Sequence, residues 1–150
     1  MAKITVNPLT EQDIPGMHHE IRNSYGYLNE LGWIERAMYL EFKNHYQQII
    51  KMDDLKVFVV RVDGIVAGVV EIEYRENEYF IGYWLGLRFR GKGIITMAVK
   101  DIITHDIPKD IYPLTARTPL KNEKSSAVLK RLDFFETNRD KEYIYFKKYR

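Results

Sequence analysis

Residues 81–96 combine residue types that can bind a phosphate group. An apolar, strand-like segment at residues 81–85 is followed by a basic turn at residues 90–93 (Arg-Gly-Lys-Gly), after which a helical pattern begins. Glycine has no Cβ, so a phosphate can approach its backbone closely. The first turn of a helix directs unpaired N–H groups and the positive end of its dipole at an anion. Because Arg90 and Lys92 would add charge, we predict a phosphate-binding turn here.

A plain basic turn between a strand and a helix is the alternative, because short glycine motifs arise by chance in many chains. Two better-known phosphate motifs do not match the spacing. The chain has no Gly-x-x-x-x-Gly-Lys-Ser/Thr sequence, and no Gly-x-Gly-x-x-Gly that opens the first helix of a βαβ unit. The sequence therefore does not favour a nucleotide-hydrolysing P-loop.

Residues 82–85 (Gly-Tyr-Trp-Leu) and 90–96 (Arg-Gly-Lys-Gly-Ile-Ile-Thr) resemble the acetyl-CoA motif of the GNAT N-acetyltransferase superfamily. The resemblance is specifically to the RimJ/RimL-like branch of ribosomal-protein N-acetyltransferases. The superfamily pattern Arg/Gln-x-x-Gly-x-Gly/Ala is met from Arg90 except at its last place, where Ile95 replaces a small residue. The branch commonly has a larger apolar residue there, followed by Thr. A register that starts at Arg88 also fits, but the Arg90 register gives the preceding strand its usual end.

The resemblance implies an acetyl-CoA-dependent transferase whose turn holds the pyrophosphate. It also implies that the strand ending at Leu85 and the strand starting near residue 111 splay apart, and that the pantetheine arm pairs with the first of these in the gap. A backbone N–H near the strand end would polarise the thioester. The implied cofactor-binding residues are Trp84, Leu85, Arg90, Gly91, Lys92, Gly93, Ile94, Ile95, Thr96 and Asn122.

A second segment, residues 122–134, is similar to the family's Asn-x-x-Ser/Ala helix that ends in Gly-Phe. Two positions differ. Asp133 replaces the usual Gly before Phe134, which predicts a slightly different turn into the next strand. Leu129 stands where many members have the Tyr proposed to protonate the departing thiolate. The RimJ/RimL-like branch often lacks that Tyr too, which leaves Ser125 as the matching hydroxyl and candidate catalytic residue.

The acceptor amine must lose a proton, so the reaction also requires a base. Glu71 and Glu73 alternate with apolar neighbours on a predicted strand, so both carboxylates lie on one face. We take Glu73 as the candidate base, with a plain solvated strand face as the alternative. His18 and His19 lie on the acceptor side that the resemblance implies. They are expected to be surface residues, and no third ligand at useful spacing accompanies them, so we predict no metal site.

Tyr25, Tyr27 and Trp33 lie between the first two predicted helices. They are candidates for the lining of the acceptor pocket, with ordinary packing as the alternative. They do not identify the acceptor, which could be a protein N-terminus or a small amine.

Hydrophobic periodicity gives the elements that position these residues. Asp63-Gly64 predicts a two-residue hairpin between two apolar strands. The resulting order of strands and helices predicts an α/β (α+β) fold, a single domain over residues 1–150 with a mixed, mostly antiparallel sheet flanked by helices. This is also the GNAT order. Strands are predicted at residues 4–6, 57–62, 65–74, 79–85, 111–117, 134–137 and 143–146, and helices from about residue 10, over 34–51, from the glycine turn to Pro108, and over 122–132.

Composition excludes several other classes of protein. The 150 residues are 45% hydrophobic and 29% charged, as in ordinary globular domains, and a net charge of +2 is too small to favour nucleic acid or an anionic membrane as partner. There is no cysteine, so a cysteinyl acyl intermediate is impossible, and acyl transfer must be direct or use another nucleophile. No Ser or Thr lies in a recognisable arrangement with His and a carboxylate, so we expect direct transfer. No window approaches a membrane span and the first residues do not form a secretion signal, so we expect a cytoplasmic protein.

Three functions remain open at this point. The first is an acetyl-CoA-dependent N-acetyltransferase. The second is a non-catalytic acyl-CoA-binding regulatory module, which the absence of Tyr at position 129 keeps open. The third is an interaction domain with a chance glycine turn. Members of the resembled branch are often dimers, and the large aromatic residues at 143–149 favour an interface at what is expected to be an edge strand, so we also expect a homodimer.

Overall fold

The computed structural model describes residues 2–24, 39–108 and 112–149. These residues form a sheet with helices on both faces. The strands are β1 (Ile4–Pro8), β2 (Leu55–Val62), β3 (Ile65–Arg75), β4 (Glu78–Leu85), β5 (Leu114–Pro119), β6 (Phe135–Arg139) and β7 (Tyr143–Lys148). The α-helices are α1 (Ile14–Asn23), α2 (Tyr39–Ile50), α3 (Ile94–His105) and α4 (Glu123–Arg131), and Glu11–Asp13 and Leu87–Phe89 are short 3-10 turns.

The strand order in the sheet is β1-β2-β3-β4-β5-β7-β6. Neighbouring strands are antiparallel except β4 and β5, which run parallel. Their pairing covers only Tyr79 opposite Leu114 and Phe80 opposite Thr115. Beyond these pairs the two strands part, so residues 81–85 of β4 have no partner in β5. The splay that the family resemblance implied is therefore present.

Two apolar clusters lie on the two faces of the sheet. One packs α3 and α4 against the sheet and includes Val70 and Leu85. The other packs α1 and α2 against the opposite face and includes Phe42, Val69 and Trp84. Because successive residues of a strand point to opposite faces, neighbours such as Trp84 and Leu85 belong to different clusters.

Local signals in the sequence account for several boundaries. Asp63 and Gly64 have φ angles of 50° and 83°, as a two-residue hairpin requires, and they join β2 to β3 as predicted. Asn122 caps α4, since its side-chain oxygen accepts a hydrogen bond from the N–H of Ser125 at 3.1 Å. The predicted helix near residue 10 begins as a 3-10 turn and continues as α1.

The structure corrects two expectations about the C-terminal part. β7 is not an edge strand, because it pairs with both β5 and β6, and Phe146 on it is fully buried. Hydrophobic periodicity alone could not show that the chain inserts β7 between two other strands. Asp133 has a φ of 68°, the left-handed conformation that glycine favours, so it forms the glycine-type turn rather than a different one.

Two predicted boundaries fall partly outside the described residues. The helix predicted over residues 34–51 is described from Tyr39 and ends at Ile50. The strand predicted to start at residue 111 begins at Leu114 and extends to Pro119. Residues 34–38 and 111 lie outside the part of the chain that the structure describes.

β3 and β4 approach each other closely at Gly68, so a larger residue there should destabilise the fold. A Cβ on Gly68 would overlap the carbonyl oxygen of Trp84 and lie 2.9 Å from the Cα of Leu85, both backbone atoms that cannot move aside easily. We expect Gly68→Ala to lower the free energy of unfolding by about 2 kcal/mol or more, as overpacking does. Gly82→Ala is the matched control, because a Cβ there meets nothing within 4 Å. Urea unfolding that shows equal midpoints for the two variants would contradict this packing.

Candidate active site

A cavity of about 380 Å³ opens where β4 and β5 part. Its volume lies in the range of small-molecule pockets. It brings together most of the residues that the sequence singled out, namely Trp84, Leu85, Arg90, Gly91, Gly93, Ile94, Ile95, Thr96, Asn122 and Ser125. Lys92 is exposed and Glu73 lies on β3, and neither is part of the cavity lining.

The glycine turn has the geometry of an anion cradle. Gly91 and Gly93 have φ angles of 77° and 74°, which residues with a Cβ rarely adopt, and a Cβ on either would point into open space. Gly93 is the N-cap of α3 and no side chain caps this end, so the first N–H groups of the helix remain available. The Thr96 hydroxyl is buried and has no hydrogen-bond partner among the described residues. These donors fit a phosphate group.

The cavity is also cationic, although the chain as a whole is nearly neutral. Arg90, Arg117, Lys124 and Arg131 line it, and no Asp or Glu does so among the described residues. The guanidinium of Arg117 lies 4.1 Å from the centre of the Tyr143 ring. Arg117, Lys124 and Arg131 could not be found from the sequence, because only the fold brings β5 and α4 to the glycine turn. Their concentration favours a ligand with several negative charges.

Ser125 has a partner that the sequence analysis did not identify. The Tyr83 hydroxyl lies 3.0 Å from the Ser125 Oγ and donates to the Ser125 carbonyl oxygen at 3.0 Å. Burial raises the pKa of Tyr83 to about 12, against the opposing effect of its hydrogen bond with Ser125. The phenol therefore keeps its proton at neutral pH. Strand alternation could have indicated which side of the sheet Tyr83 faces, because Tyr83 shares the face of Leu85 rather than that of Trp84.

The two carboxylates of β3 occupy different environments. Glu73 is half exposed, and the Nε of Arg75 lies 3.9 Å from its Oε1. Glu71 is opposite Gly82 in β4, which lines the cavity. Burial and, to a lesser degree, the nearby Glu73 raise the pKa of Glu71 to about 7, while a hydrogen bond from Tyr46 opposes the shift. The two side chains share one face, as predicted.

Helix α1 fixes the segment that leads into the glycine turn. Glu20 is almost fully buried and accepts hydrogen bonds from Arg88 Nε at 3.1 Å and from a terminal guanidinium nitrogen of Arg88 at 2.6 Å. The Ser24 hydroxyl oxygen accepts from the Leu87 N–H at 2.9 Å. Arg88 therefore binds Glu20 of α1, while Arg90 lines the cavity, as the preferred register of the motif requires.

The histidines of α1 differ from each other. His18 is buried and contacts the rings of Tyr39 and Phe42 edge-on, contrary to the expected surface position, while His19 is exposed as expected. The described residues contain no group of three potential metal ligands and no helix long and apolar enough to cross a membrane. The candidate acceptor residues Tyr25, Tyr27 and Trp33 lie outside the described residues.

A comparison with protein families identifies the family of this chain. The family described as acetyltransferase (GNAT) domain matches residues 3–135, which include the glycine turn and Ser125. The chain belongs to the GNAT acetyltransferase domain family. This membership confirms the superfamily and the fold class predicted from the sequence, and it removes the interaction domain with a chance glycine turn from the three open functions.

One curated relative of this GNAT domain has a name that fits the predicted branch. Over 87 residues, 55% of this chain, it is 31% identical to YdaF of Bacillus subtilis strain 168, which is described as a proposed ribosomal N-acetyltransferase. The matched region covers 48% of that protein, so the chain spans about half the length of the curated relative it matches.

Solved structures share the fold of this GNAT domain. RimL, a ribosomal L7/L12 alpha-N-protein acetyltransferase in complex with coenzyme A, superposes with a TM-score of 0.88 at 19% identity, over 97% of this chain and 93% of that chain. A ribosomal-protein-S5-alanine acetyltransferase from Vibrio fischeri gives 0.84 at 19% identity, over 99% and 96%. Spermidine N-acetyltransferase from Vibrio cholerae gives 0.77 at 14%, over 97% and 93%. At these identities the likeness shows the fold alone.

The cradle geometry predicts how acetyl-CoA binding responds to substitution. Gly93→Val should weaken acetyl-CoA at least about tenfold, roughly 1.4 kcal/mol, because a side chain would project where the phosphate approaches the backbone. Gly64→Val is the matched control. Its φ of 83° and open surroundings give a similar backbone penalty of about 1–2 kcal/mol in a turn away from the cavity.

Isothermal titration calorimetry on both variants, with thermal unfolding as a check on the fold, separates the two effects. Equal acetyl-CoA affinity for Gly93→Val and Gly64→Val would overturn the cradle assignment.

Proposed function

We propose that this chain is an acetyl-CoA-dependent N-acetyltransferase that transfers the acetyl group directly to a primary amine, either a protein N-terminus or a small amine. One observation supports this most strongly. The cavity between β4 and β5 runs without interruption from the glycine turn to the Ser125–Tyr83 pair. It thus joins a phosphate cradle to a pair of hydroxyl proton donors, as an acyl-CoA transferase requires.

Binding of the donor follows from the geometry of the cavity. The pyrophosphate of acetyl-CoA meets the N–H groups of residues 93–96 and the Thr96 hydroxyl, and Arg90 adds charge. The amides of the pantetheine arm pair with the free edge of residues 81–85, in the place that β5 vacates. Trp84 and Leu85 then lie beside the thioester, and Asn122 fixes the start of α4 next to it.

The chemical step needs no acyl-enzyme. The amine nitrogen bonds to the thioester carbon, the C–S bond breaks, and its electron pair goes to sulfur. The thiolate takes a proton from the Ser125 hydroxyl, which Tyr83 contacts at 3.0 Å and can reprotonate. This pair supplies the hydroxyl that many superfamily members place at the position of Leu129. Cysteine is absent from the chain, which is consistent with direct transfer.

The acceptor class is supported by the relatives rather than by the cavity. The name of YdaF and those of two solved structures refer to ribosomal proteins, whereas that of another refers to spermidine. We therefore favour a peptide N-terminus and, with it, a cytoplasmic location.

We also retain a homodimer as a proposal. The rings of Phe135 and Tyr149 stack at 5.6 Å beside the edge strand β6, about half of each is exposed, and light scattering would reveal a dimer there.

Release of free thiol from acetyl-CoA tests the function. We expect turnover with at least one member of a panel of Ser- and Ala-initiated peptides, spermidine and an aminoglycoside. Intact-protein mass spectrometry without amine should show no acetylated enzyme, because transfer is direct. Binding of acetyl-CoA without thiol release for any amine would favour the non-catalytic module. An acetylated enzyme that can be chased to product would contradict direct transfer.

The hydroxyl pair predicts a specific loss of turnover. Ser125→Ala and Tyr83→Phe should each lower kcat about 10- to 100-fold, because each interrupts proton delivery to sulfur. The double variant should be little worse than the poorer single variant, because the two residues act as one unit. Tyr79→Phe is the control, since Tyr79 is another tyrosine on the same face of β4 but lies outside the cavity. Unchanged kcat with Ser125→Ala would contradict the role.

A further inference from the structure

A recess lies on the face of β4 that is directed toward α1 and α2. On this face Phe80, Gly82 and Trp84 follow one another along β4, and they pair with Glu73, Glu71 and Val69 of β3. Gly82 provides no side chain, and a Cβ there would meet none of the described residues within 4 Å. Among the described residues, nothing fills the gap between the two aromatic residues, and the gap borders the main cavity because Gly82 also lines that cavity.

The wall of this recess is the Glu71 carboxylate. Directly opposed residues of neighbouring strands have Cβ atoms about 5 Å apart, so Glu71 lies over the space that Gly82 leaves empty. Glu73 projects from the same face but is opposite Phe80, half exposed, and paired with Arg75, whose guanidinium lies 4.0 Å from the centre of the Phe80 ring. Both carboxylates are partly accessible, but only Glu71 is opposite a residue that lines the cavity.

We propose that Glu71, rather than Glu73, is the catalytic base that takes the proton of the acceptor amine, directly or through one water, in the recess over Gly82. This inference rests on the proposed function. As the amine nitrogen bonds to the thioester carbon, its N–H proton passes to a Glu71 oxygen. The C–S bond breaks, and the sulfur is protonated from the Ser125–Tyr83 pair. Exchange with solvent then removes the proton from Glu71 and restores the one that the pair lost.

The position of Glu71 separates it from the proton donors. The Tyr83 and Ser125 hydroxyls lie on the side of α3 and α4, whereas Glu71 projects to the opposite face of the sheet. The thioester along the edge of β4 would lie between them. An amine that enters from the side of α1 and α2 would therefore meet the base first and the carbonyl carbon next.

Among the residues that the structure describes, few charged or titratable groups surround Glu71. Glu73 neighbours it on β3, and from α2 the Tyr46 hydroxyl donates a hydrogen bond to it while His45 contacts the Tyr46 ring edge-on. The other groups on this face are already engaged. Among the described residues, α1 contributes His18, which packs on two aromatic rings, and Glu20, which is bound to Arg88, and β2 contributes Arg61, which is bound to Asp13.

Tyr46 and Glu73 act on the pKa of Glu71 in opposite directions, so replacing each should shift the pH profile in opposite directions. Burial raises the pKa of Glu71 to about 7, so the carboxylate that acts as base forms as the pH rises through about 7. Tyr46 stabilises the carboxylate, so Tyr46→Phe should move this limb of the pH profile to higher pH. Glu73 destabilises it by like charge, so Glu73→Gln should move the limb to lower pH. A residue with only a structural role would produce neither shift.

The experiment follows kcat/KM for the amine between about pH 5 and pH 9 in wild type and three variants. The acceptors are a Ser-initiated peptide and spermidine, because a limb that belongs to the protein keeps its midpoint when the amine changes. Glu71→Gln should remove the limb and lower kcat about 100-fold or more, as loss of a general base does, while calorimetry shows unchanged acetyl-CoA affinity. Glu73→Gln and Tyr46→Phe should keep the limb and shift it in opposite directions.

Three other outcomes would overturn the inference, and one leaves the decision to the pH shifts of the remaining variants. Wild-type rates in Glu71→Gln would exclude Glu71, and loss of the limb in Glu73→Gln would assign the base to Glu73. If Glu71→Gln also loses acetyl-CoA binding, the opposite shifts in the other two variants still decide the matter, and their absence would refute the proposal. If the wild type acetylates no amine at all, the proposed function fails and the inference fails with it.

Discussion

The parallel pairing of β4 with β5 ends after Phe80 and Thr115, and the site depends on this break. A strand that loses its neighbour leaves N–H and C=O groups that require other partners. In this chain the break occurs inside the sheet rather than at its edge, so the free backbone groups lie in a walled cavity instead of in bulk water. The glycine turn closes one end of that cavity, and the start of α4 forms one side of it. A ligand that completes the sheet is therefore held by the same interactions that stabilise the sheet itself.

The alternation of β4 divides the site into two sides. The side chains of Tyr83 and Leu85 project toward α3 and α4, where Ser125 lies. Trp84 projects toward α1 and α2, and on that face Gly82 leaves a gap opposite Glu71. One strand thus presents the Tyr83 hydroxyl, which meets Ser125 of α4, on one face and the gap at Gly82 beside a carboxylate of β3 on the other. Because the two faces are separated by the backbone itself, the proposed acid and the proposed base would act on one substrate without neutralising each other. A single-residue shift in the register of β4 would exchange the two sets and remove both functions.

Much of this arrangement could be predicted from the sequence because its signals are local. The glycine turn, the Asp63-Gly64 hairpin and the cap at Asn122 each depend on residues close together in the chain, and each was found where it was predicted. What could not be predicted depends on contacts between distant segments. The pairing of Tyr83 with Ser125, the arrival of Arg117 and Arg131 at the cavity, and the insertion of β7 between β5 and β6 all require the assembled sheet. Glu71 and Glu73 look equivalent in a strand pattern, and only the residue opposite each of them, Gly82 or Phe80, distinguishes them.

The glycine cradle has a consequence for how such a domain can diverge. In the proposed binding mode the donor is held largely by main-chain N–H groups, which every residue except proline possesses. Such a site imposes few requirements on side chains beyond two positions that must adopt positive φ, so most of the surrounding sequence is free to drift while donor binding is retained. The proposed acceptor side is built differently, because it depends on a side chain, Glu71, and a single replacement there would change the chemistry of the recess. If donor and acceptor bind as proposed, few mutations would be needed to exchange one acceptor for another while the donor stays the same.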